Sequence, residues 1–249
     1  MIRTPNNDII IIGNTGWKTS LPVIKFLDNN NLLVDEYMES IINTSSHPWK
    51  YEFLEQYLTN KWIKEDDIVL ELGSRLGIVS LTINSRLKNK YNHVVIEPNK
   101  KIIDSLTYNK DSFGAKFQIC TMVISKKSLK YIIEKDQLGN YTIENTENPE
   151  NTDKNNVIET IAPQKFFEQY KLKFNVLVAD CEGCLEQFLN ENETLLEQLN
   201  LIIFEKDNVE RCNYKKIFDL LRKYNFTFID GLINHTQNYE NYFQQVWGK

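Results

Sequence analysis

The stretch that decides the fold spans residues 68–81 and reads Ile68-Val-Leu-Glu-Leu-Gly-Ser-Arg-Leu-Gly-Ile-Val-Ser-Leu81. Its apolar beginning, up to Leu72, predicts a short buried strand that ends at Gly73. Around and beyond Gly77 the apolar residues recur at the spacing of a helix. The segment therefore predicts a strand, a glycine turn and a helix, which together form the first half of a nucleotide-binding βαβ unit.

The glycine turn indicates which cofactor such a unit would hold. Glycine allows the positive φ and the close backbone approach that the turn needs, but the run Gly-Ser-Arg-Leu-Gly lacks the third glycine of a dinucleotide fingerprint. Glu71 stands two residues before the first glycine. A carboxylate there repels a pyrophosphate and suits the sulfonium and amino groups of S-adenosylmethionine. We therefore expect S-adenosylmethionine as the cofactor, close to Glu71, Gly73, Ser74 and Gly77.

The second half of the unit follows at residues 93–97, another apolar run that ends in an acid just before Pro98. In nucleotide-binding folds, an acidic residue at the end of the second strand holds the ribose hydroxyls. Glu97 is therefore the predicted ribose ligand, with Pro98 beside it. The alternative is that Glu71 and Glu97 are solvated carboxylates at strand ends.

Composition limits the domain organisation and the location. The chain has 249 residues, 41% of them apolar, which is enough for a full core. We expect a small N-terminal β extension over residues 1–50 and one domain over residues 51–249. The net charge of -5 argues against a nucleic-acid partner. No stretch has the apolar length of a membrane span and the first residues lack a signal core, so a cytoplasmic location is expected.

The four cysteines fit a reducing location as small buried side chains. Cys181 and Cys184 have the spacing of a zinc site, but no second pair of cysteines or histidines completes the ligands. The sequence therefore assigns no metal to them.

The rest of the chain alternates strands with helices and predicts a doubly wound, mostly parallel sheet. Further strands are expected at residues 116–124, 175–179 and 201–204, with one helix over residues 185–199. Ligands of such sheets bind outside the carboxyl ends of the strands. Val123, near the end of the third strand, is therefore a predicted neighbour of the cofactor's base.

Acidic residues end two consecutive predicted strands. Asp180 and Glu182 follow one strand, and Glu205 and Asp207 follow the next. Carboxylates at neighbouring strand ends repel each other unless a cation or a shared proton compensates. Three interpretations stay open: a general base for a substrate hydroxyl, hydrogen-bond acceptors for substrate or cofactor, or ligands of a divalent cation. The first two are favoured, so no metal ligand is assigned.

Four motifs, in this order, resemble the FkbM family of S-adenosylmethionine-dependent methyltransferases: Glu71-Leu-Gly-Ser-Arg-Leu-Gly77, Val95-Ile-Glu-Pro98, Asp180-Cys-Glu-Gly183 and Ile203-Phe-Glu205. The most specific of them is Asp-x-Glu-Gly at the end of a buried strand, and the similarity covers residues 51–249. The resemblance implies a Rossmann-like seven-stranded fold and methyl transfer to oxygen, often a hydroxyl on a sugar or natural product. The chain departs from the family pattern within the glycine turn and just after Gly183.

These features predict an O-methyltransferase that acts on a hydroxyl of a sugar, a glycan or a similar small molecule. Asp180, beside the cofactor, is the predicted general base, and Glu182 and Glu205 orient the acceptor or take the place of Asp180. The alternatives are a non-catalytic module with a methyltransferase fold, motivated by the altered glycine turn, and a methyltransferase acting on RNA or protein. The sequence leaves open the acceptor, a need for a divalent cation and the formation of a homodimer.

Overall fold

The structure of the chain is a computed structural model, and it describes residues 2–3, 9–12, 18–20, 52–133, 141–145, 157–232 and 242–249. The strands within these residues are short. In chain order they are β1 (Ile2–Arg3), β2 (Ile9–Ile12), β3 (Lys18–Ser20), β4 (Val69–Leu72), β5 (His93–Ile96), β6 (Gln118–Cys120), β7 (Val123–Ile124), β8 (Leu129–Ile133), β9 (Tyr141–Asn145), β10 (Val157–Ile158), β11 (Thr160–Ile161), β12 (Val176–Ala179), β13 (Leu201–Glu205), β14 (Thr227–Leu232) and β15 (Gln244–Gly248).

Helices alternate with the central strands, and local sequence explains where several of them begin. Pro163 lies at the first position of its helix, where its fixed φ suits helical geometry. The Asn213 side chain accepts a hydrogen bond from Lys216 N and so caps another helix. The described helices are α1 (Phe53–Trp62), α2 (Ile78–Arg86), α3 (Ile103–Ser112), α4 (Pro163–Tyr170), α5 (Leu185–Glu191), α6 (Leu195–Gln198) and α7 (Tyr214–Lys223).

A seven-stranded sheet in the order β14-β15-β13-β12-β4-β5-β6 forms the centre of the protein. Its neighbouring strands are parallel except around β15, which is antiparallel to both β13 and β14. The chain crosses from β6 back to β12, so the direction of winding reverses beside β4. This is the predicted Rossmann-like, doubly wound and mostly parallel sheet, and the reversal is where such sheets bind ligands.

Side chains of the sheet alternate between two packed layers. On one face, strand residues such as Leu70 and Leu177 join a core with aromatic side chains of α4, α5 and α7. On the other face, Val178 and Ile203 pack with Leu58 of α1 and with apolar residues of α2. Because successive strand residues point to opposite faces, a polar residue at the end of a strand is assigned to one layer by its position alone.

Two predicted elements are each divided in the structure. The strand expected over residues 116–124 becomes β6 and β7, because the chain bends at Thr121 and Met122 and Val123 N then donates to Glu159 O at 3.0 Å. The helix expected over residues 185–199 becomes α5 and α6. The Asn192 side chain donates a hydrogen bond from Nδ2 to Phe188 O at 2.8 Å. This bond satisfies a carbonyl of the last turn of α5, where the helix ends.

Short apolar runs in the sequence also predict strands at residues 21–27 and 32–34 and a short helix at 37–42, and a polar, charged stretch predicts a surface loop at 146–156. All four segments lie outside the described residues. Within the N-terminal part, β1, β2 and β3 form a small antiparallel sheet. Apolar runs on either side of Gly139 and Asn140 predict a hairpin, and the antiparallel pairing of β8 with β9 agrees with it. Nowhere in the described ranges does a helix combine the length and the apolar character needed to cross a membrane.

Candidate cofactor and catalytic site

The glycine turn after β4 lies directly against the loop that follows β12. Gly73 has φ +81°, and a Cβ atom built on it would stand 1.8 Å from the carbonyl oxygen of Asp180. Asp180 N in turn donates to Leu72 O at 3.0 Å. Only glycine satisfies both the positive φ and this approach. The expected position of the turn opposite the Asp180 loop, across the crevice between the two strands, is therefore confirmed.

Glu97 is the carboxylate that holds the turn in place. Its Oε2 accepts from Arg75 N at 2.7 Å and from Ser74 N at 3.3 Å, and its Oε1 accepts from Asn99 N at 2.9 Å. Glu97 is buried and lines the cavity described below. It is thus a fixed acceptor, not the solvated strand-end group of the alternative interpretation.

Glu71 is also buried, with 1% of its surface exposed. One oxygen, Oε2, pairs with His93 Nε2 at 2.8 Å, while Oε1 has no hydrogen-bond partner. The Ser74 hydroxyl is a second buried group without a partner beside the same cavity. Buried polar atoms are rarely left unpaired, so both point to a ligand that would complete their hydrogen bonds.

Gly77 differs from the other predicted cofactor residues, because it is not among the residues that line the cavity. A Cβ on Gly77 would lie 2.6 Å from a methyl carbon of Leu106, and Gly77 begins α2 with φ +83°. Its role in the structure is to end the turn and to let α2 approach α3. Sequence reasoning assigned it to the ligand because turn glycines and packing glycines look alike in a sequence.

A cavity of about 530 Å³ opens above the turn and the Asp180 loop. The predicted site residues that line it belong to five strands or to the loops that directly follow them. They are Glu71, Gly73, Ser74, Glu97, Pro98, Val123, Asp180, Glu182 and Glu205. The structure therefore brings together every predicted cofactor and catalytic residue except Gly77.

The far wall of the cavity is a row of polar residues across three strands. Ala179 pairs with Phe204, so the next residues, Asp180 and Glu205, stand side by side. Glu205 pairs in turn with Gln244 on β15. Strand alternation puts all three side chains on the face that α1 covers.

Two glutamates of the N-terminal end of α1 meet this row. In nucleotide-binding folds the helix before the first strand of the sheet often flanks the cofactor, so the sequence predicts that Glu52 could touch the ligand. Glu52 and Glu55, one helical turn later, both line the cavity. Glu55 and Gln244 were missed. The available signal was an acid at helical spacing from Glu52, on a helix whose next turn carries the core residue Leu58.

Burial raises the pKa values of these acids, and their mutual repulsion raises them further. The pKa of Asp180 lies well above its usual value because of burial first, and then because of the charges of Glu205, Asp207 and Glu182; Arg75 opposes the shift. The pKa of Glu52 is raised well above its usual value, again by burial and then by Asp180. A carboxyl group with a raised pKa is a better proton acceptor near neutral pH than an ordinary aspartate.

Glu55 and Glu205 form a coupled pair. Burial raises the pKa of Glu55 to about 7, while burial and the hydrogen bond with Glu55 raise the pKa of Glu205 to about 10. Gln244 Nε2 donates to Glu205 Oε2 at 2.9 Å and also contacts Glu55 Oε1. At neutral pH Glu205 is therefore protonated, which suits a hydrogen-bond donor and not a general base.

This pair predicts how stability depends on pH. The folded protein keeps protons on Glu55 and Glu205 that the unfolded chain releases above its ordinary glutamate pKa. The stability that these protons contribute is therefore fully present below the ordinary glutamate pKa. It is lost as pH rises through the pKa values of the folded protein. In buffer with EDTA, we expect the free energy of unfolding to fall by several kcal/mol between pH 5 and pH 9, most of it from Glu205, whose pKa is raised further. In Glu205→Gln the fall should be at most half as large, as urea titrations at each pH would show; equal slopes in both proteins would contradict the assignment.

The Asp180 loop contains an unexpected bond. Cys181 and Cys184 form a disulfide, whereas the sequence predicted reduced, buried thiols. The tight turn between them brings the two sulfurs together, since Glu182 and Gly183 both have positive φ. Cys120 and Cys212 are free and buried, as expected.

The remaining predicted acids are fixed by neighbours. Glu182 Oε2 accepts from Asn208 Nδ2 at 2.7 Å. Asp207 accepts from the Tyr214 hydroxyl at 2.9 Å, and it is not among the cavity-lining residues. Asp207 therefore acts on the site only through its charge.

No protein-family model and no curated protein sequence matches this chain. Solved structures similar to it include precorrin-6y C5,15-methyltransferase from Geobacter metallireducens GS-15, with 10% identity over 78% of this chain and 86% of that chain and a TM-score of 0.46. An rRNA methylase from Streptococcus thermophilus has 8% identity over 83% and 98%, with a TM-score of 0.46. Ribosomal protein L11 methylase from Lactobacillus delbrueckii subsp. bulgaricus has 12% identity over 78% and 76%, with a TM-score of 0.44. Similarity this low identifies neither a family nor a substrate, so the resemblance to the FkbM family stays a prediction.

Proposed function

We propose that the protein is an S-adenosylmethionine-dependent methyltransferase that methylates a hydroxyl of a sugar, a glycan or a similar small molecule. The observation that carries this proposal is the cavity itself. A glycine turn pinned by Glu97 forms one side, and the raised-pKa carboxyl group of Asp180 stands on the other.

The residues present fit this cofactor. Glu97 lies at the end of the second strand of the seven-stranded sheet, where such folds hold the ribose hydroxyls. Ser74 and Glu71 have buried polar atoms without hydrogen-bond partners. Pro98 and Val123 offer apolar surface for the base. The acidic wall suits a ligand with a sulfonium and an amino group, and it would repel a diphosphate.

When bound, S-adenosylmethionine supplies an activated methyl group. The protein then has to orient an acceptor hydroxyl, exclude water and accept a proton. Asp180 is the proposed proton acceptor, because burial favours its protonated form once the proton has arrived. Glu182 is held by Asn208 at the cavity wall, and Glu205 can donate a hydrogen bond; both would position the acceptor.

Calorimetric titration tests the cofactor site directly. We expect S-adenosylmethionine and S-adenosylhomocysteine each to bind with one molecule per chain. Glu97→Gln should weaken both about tenfold or more, because charged hydrogen bonds to the turn and to the ribose are lost. Glu168→Gln, at an exposed position on α4, is the matched control and should bind like the wild type. Absence of binding by a folded protein would favour the non-catalytic module.

A label-transfer experiment then tests the acceptor class. The protein is incubated with methyl-labelled S-adenosylmethionine and with separate pools of oligosaccharides, total RNA and total protein. Label in the oligosaccharide pool supports the proposal. Label in the RNA or protein pool alone would keep the methyltransferase and replace the acceptor; the net charge of -5 argues against RNA.

A further inference from the structure

Three carboxylates meet at the end of the cavity that lies on the far side of β4 from Glu97. One oxygen each of Glu55, Asp180 and Glu205 lies within 4.8 Å of the others. The three residues come from α1, from the loop after β12 and from the end of β13. Their positions are therefore set by three separate elements of the core, which is a rigid way to hold oxygen atoms together.

Gln244 provides an independent sign that this cluster is incomplete. Its side chain is fully buried and lines the cavity, yet its carbonyl oxygen Oε1 has no hydrogen-bond partner. Its Nε2 atom faces Glu55 Oε1 and Glu205 Oε2. Half a turn of the amide would exchange the two atoms and point Oε1 at the same two carboxylates. Three oxygens facing one another are favourable only with a proton or a cation between them.

The charge of the cluster points the same way. In the part of the chain that the structure describes, no lysine or arginine forms an ion pair with Glu55, Asp180 or Glu205. Glu55 is only 6% exposed, and Asp180 and Glu205 are partly buried. Glu71 Oε1 adds another buried oxygen without a partner in the same cavity. A buried group of acids in this state is stabilised by protons or by a cation.

We propose that Glu55, Asp180, Glu205 and Gln244 form a binding site for one hard divalent cation, Mg²⁺ or Mn²⁺. All four ligands would offer oxygen, which these ions prefer, and six-coordination would leave about two positions open toward the cavity. Each carboxylate contributes one oxygen, which leaves the second oxygen of Asp180 outside the coordination of the ion. With the ion bound, Glu205 is deprotonated and positions an acceptor through the ion and not as a hydrogen-bond donor. The open positions suit water or two neighbouring hydroxyls of a sugar acceptor; only this last point rests on the proposed function.

Manganese binding tests the site without any substrate. The full chain is stripped with EDTA, dialysed and titrated with Mn²⁺, and the free ion is followed by electron paramagnetic resonance. We expect saturable binding of one Mn²⁺ per chain and competition by Mg²⁺. Glu55→Gln and Glu205→Gln should each weaken Mn²⁺ binding at least about tenfold, as expected when a ligand is lost. Glu168→Gln should bind Mn²⁺ like the wild type, since Glu168 is exposed on α4.

Two results would overturn this proposal: no saturable Mn²⁺ binding by the folded wild type, or unchanged affinity in both ligand variants. Circular dichroism checks that each variant folds, and Asp180→Asn serves as a third variant if one does not. Titration of S-adenosylhomocysteine in the same metal-free buffer separates the two proposals. If S-adenosylhomocysteine binds and Mn²⁺ does not, the cation site is wrong and the proposed cofactor site is kept. If Mn²⁺ binds and S-adenosylhomocysteine does not, the proposed cofactor site is wrong and the cation site is kept.

Discussion

Gly73→Ala is expected to lower the free energy of unfolding by about 4 kcal/mol. A side chain at φ +81° costs about 1–2 kcal/mol of backbone strain. The new Cβ would also stand 1.8 Å from the Asp180 carbonyl oxygen and 2.9 Å from its carbon. Because the Asp180 carbonyl group belongs to the backbone, β4 and β12 would have to separate at this end, at a cost of about 1–3 kcal/mol.

Urea unfolding followed by fluorescence measures this loss, and Gly114→Ala is its control. Gly114 also has positive φ, +66°, but a Cβ there would meet no atom within 4 Å. We expect the control to lose only about 1 kcal/mol, the part due to strain. Equal losses in the two variants would show that the contact between the glycine turn and the Asp180 loop is not what requires Gly73.

Asp180→Asn is expected to reduce methyl transfer by a factor of about 10²–10⁴, the range of general-base catalysis. The amide has the same shape and cannot take a proton. It also removes one of the charges that repel each other in the cavity, so the fold should be kept. The dissociation constant of S-adenosylhomocysteine should change by less than about threefold. A general base acts in the transition state and does not contribute to binding of the cofactor product.

The rate is measured at saturating cofactor with the acceptor found by label transfer, and binding is measured by calorimetry. Asp219→Asn is the control for the chemical change, since Asp219 lies on α7 in an exposed pair with Arg222. Full activity of Asp180→Asn would mean that the proton goes elsewhere. A parallel loss of cofactor binding would mean that Asp180 holds the cofactor and is not the base.

Local patterns were enough to predict the centre of the fold. The strand, turn and helix from β4 to α2 are encoded by an apolar run and two glycines with positive φ. The ends of β5, β12 and β13 were predicted for the same reason, and their acids follow directly. The carboxyl ends of parallel strands lie at one edge of a sheet. The sequence alone therefore predicts that Glu97, Asp180 and Glu205 share one site.

The residues that were missed reach the site through tertiary structure. Glu55 lies on a helix that precedes the glycine turn, and Gln244 lies on the last strand of the sheet. Neither carries a motif. Their position depends on how α1 packs on the sheet and on where β15 inserts into it. The spacing of apolar residues along the chain predicts neither of these tertiary features. The Cys181–Cys184 bond was missed because a cytoplasmic location was used to predict reduced thiols.

The breaks at residues 121–122 and 192–194 have a similar origin. Apolar periodicity continues across both, but the chain leaves the sheet after β6 to pair β7 with β11, and Asn192 closes α5 on itself. Periodicity reports which face of an element is buried; it does not report where a neighbouring backbone offers better hydrogen bonds.

The insertion of β15 between β13 and β14 has a consequence for how the protein is made. Both of its neighbours precede it along the chain, and among the strands that the structure describes β14 pairs only with β15. During synthesis on the ribosome, β14 must therefore wait unpaired until the segment carrying Gln244 has emerged. Because Gln244 is also the amide that touches Glu55 and Glu205, the acidic end of the cavity is assembled in the same late step that closes the sheet.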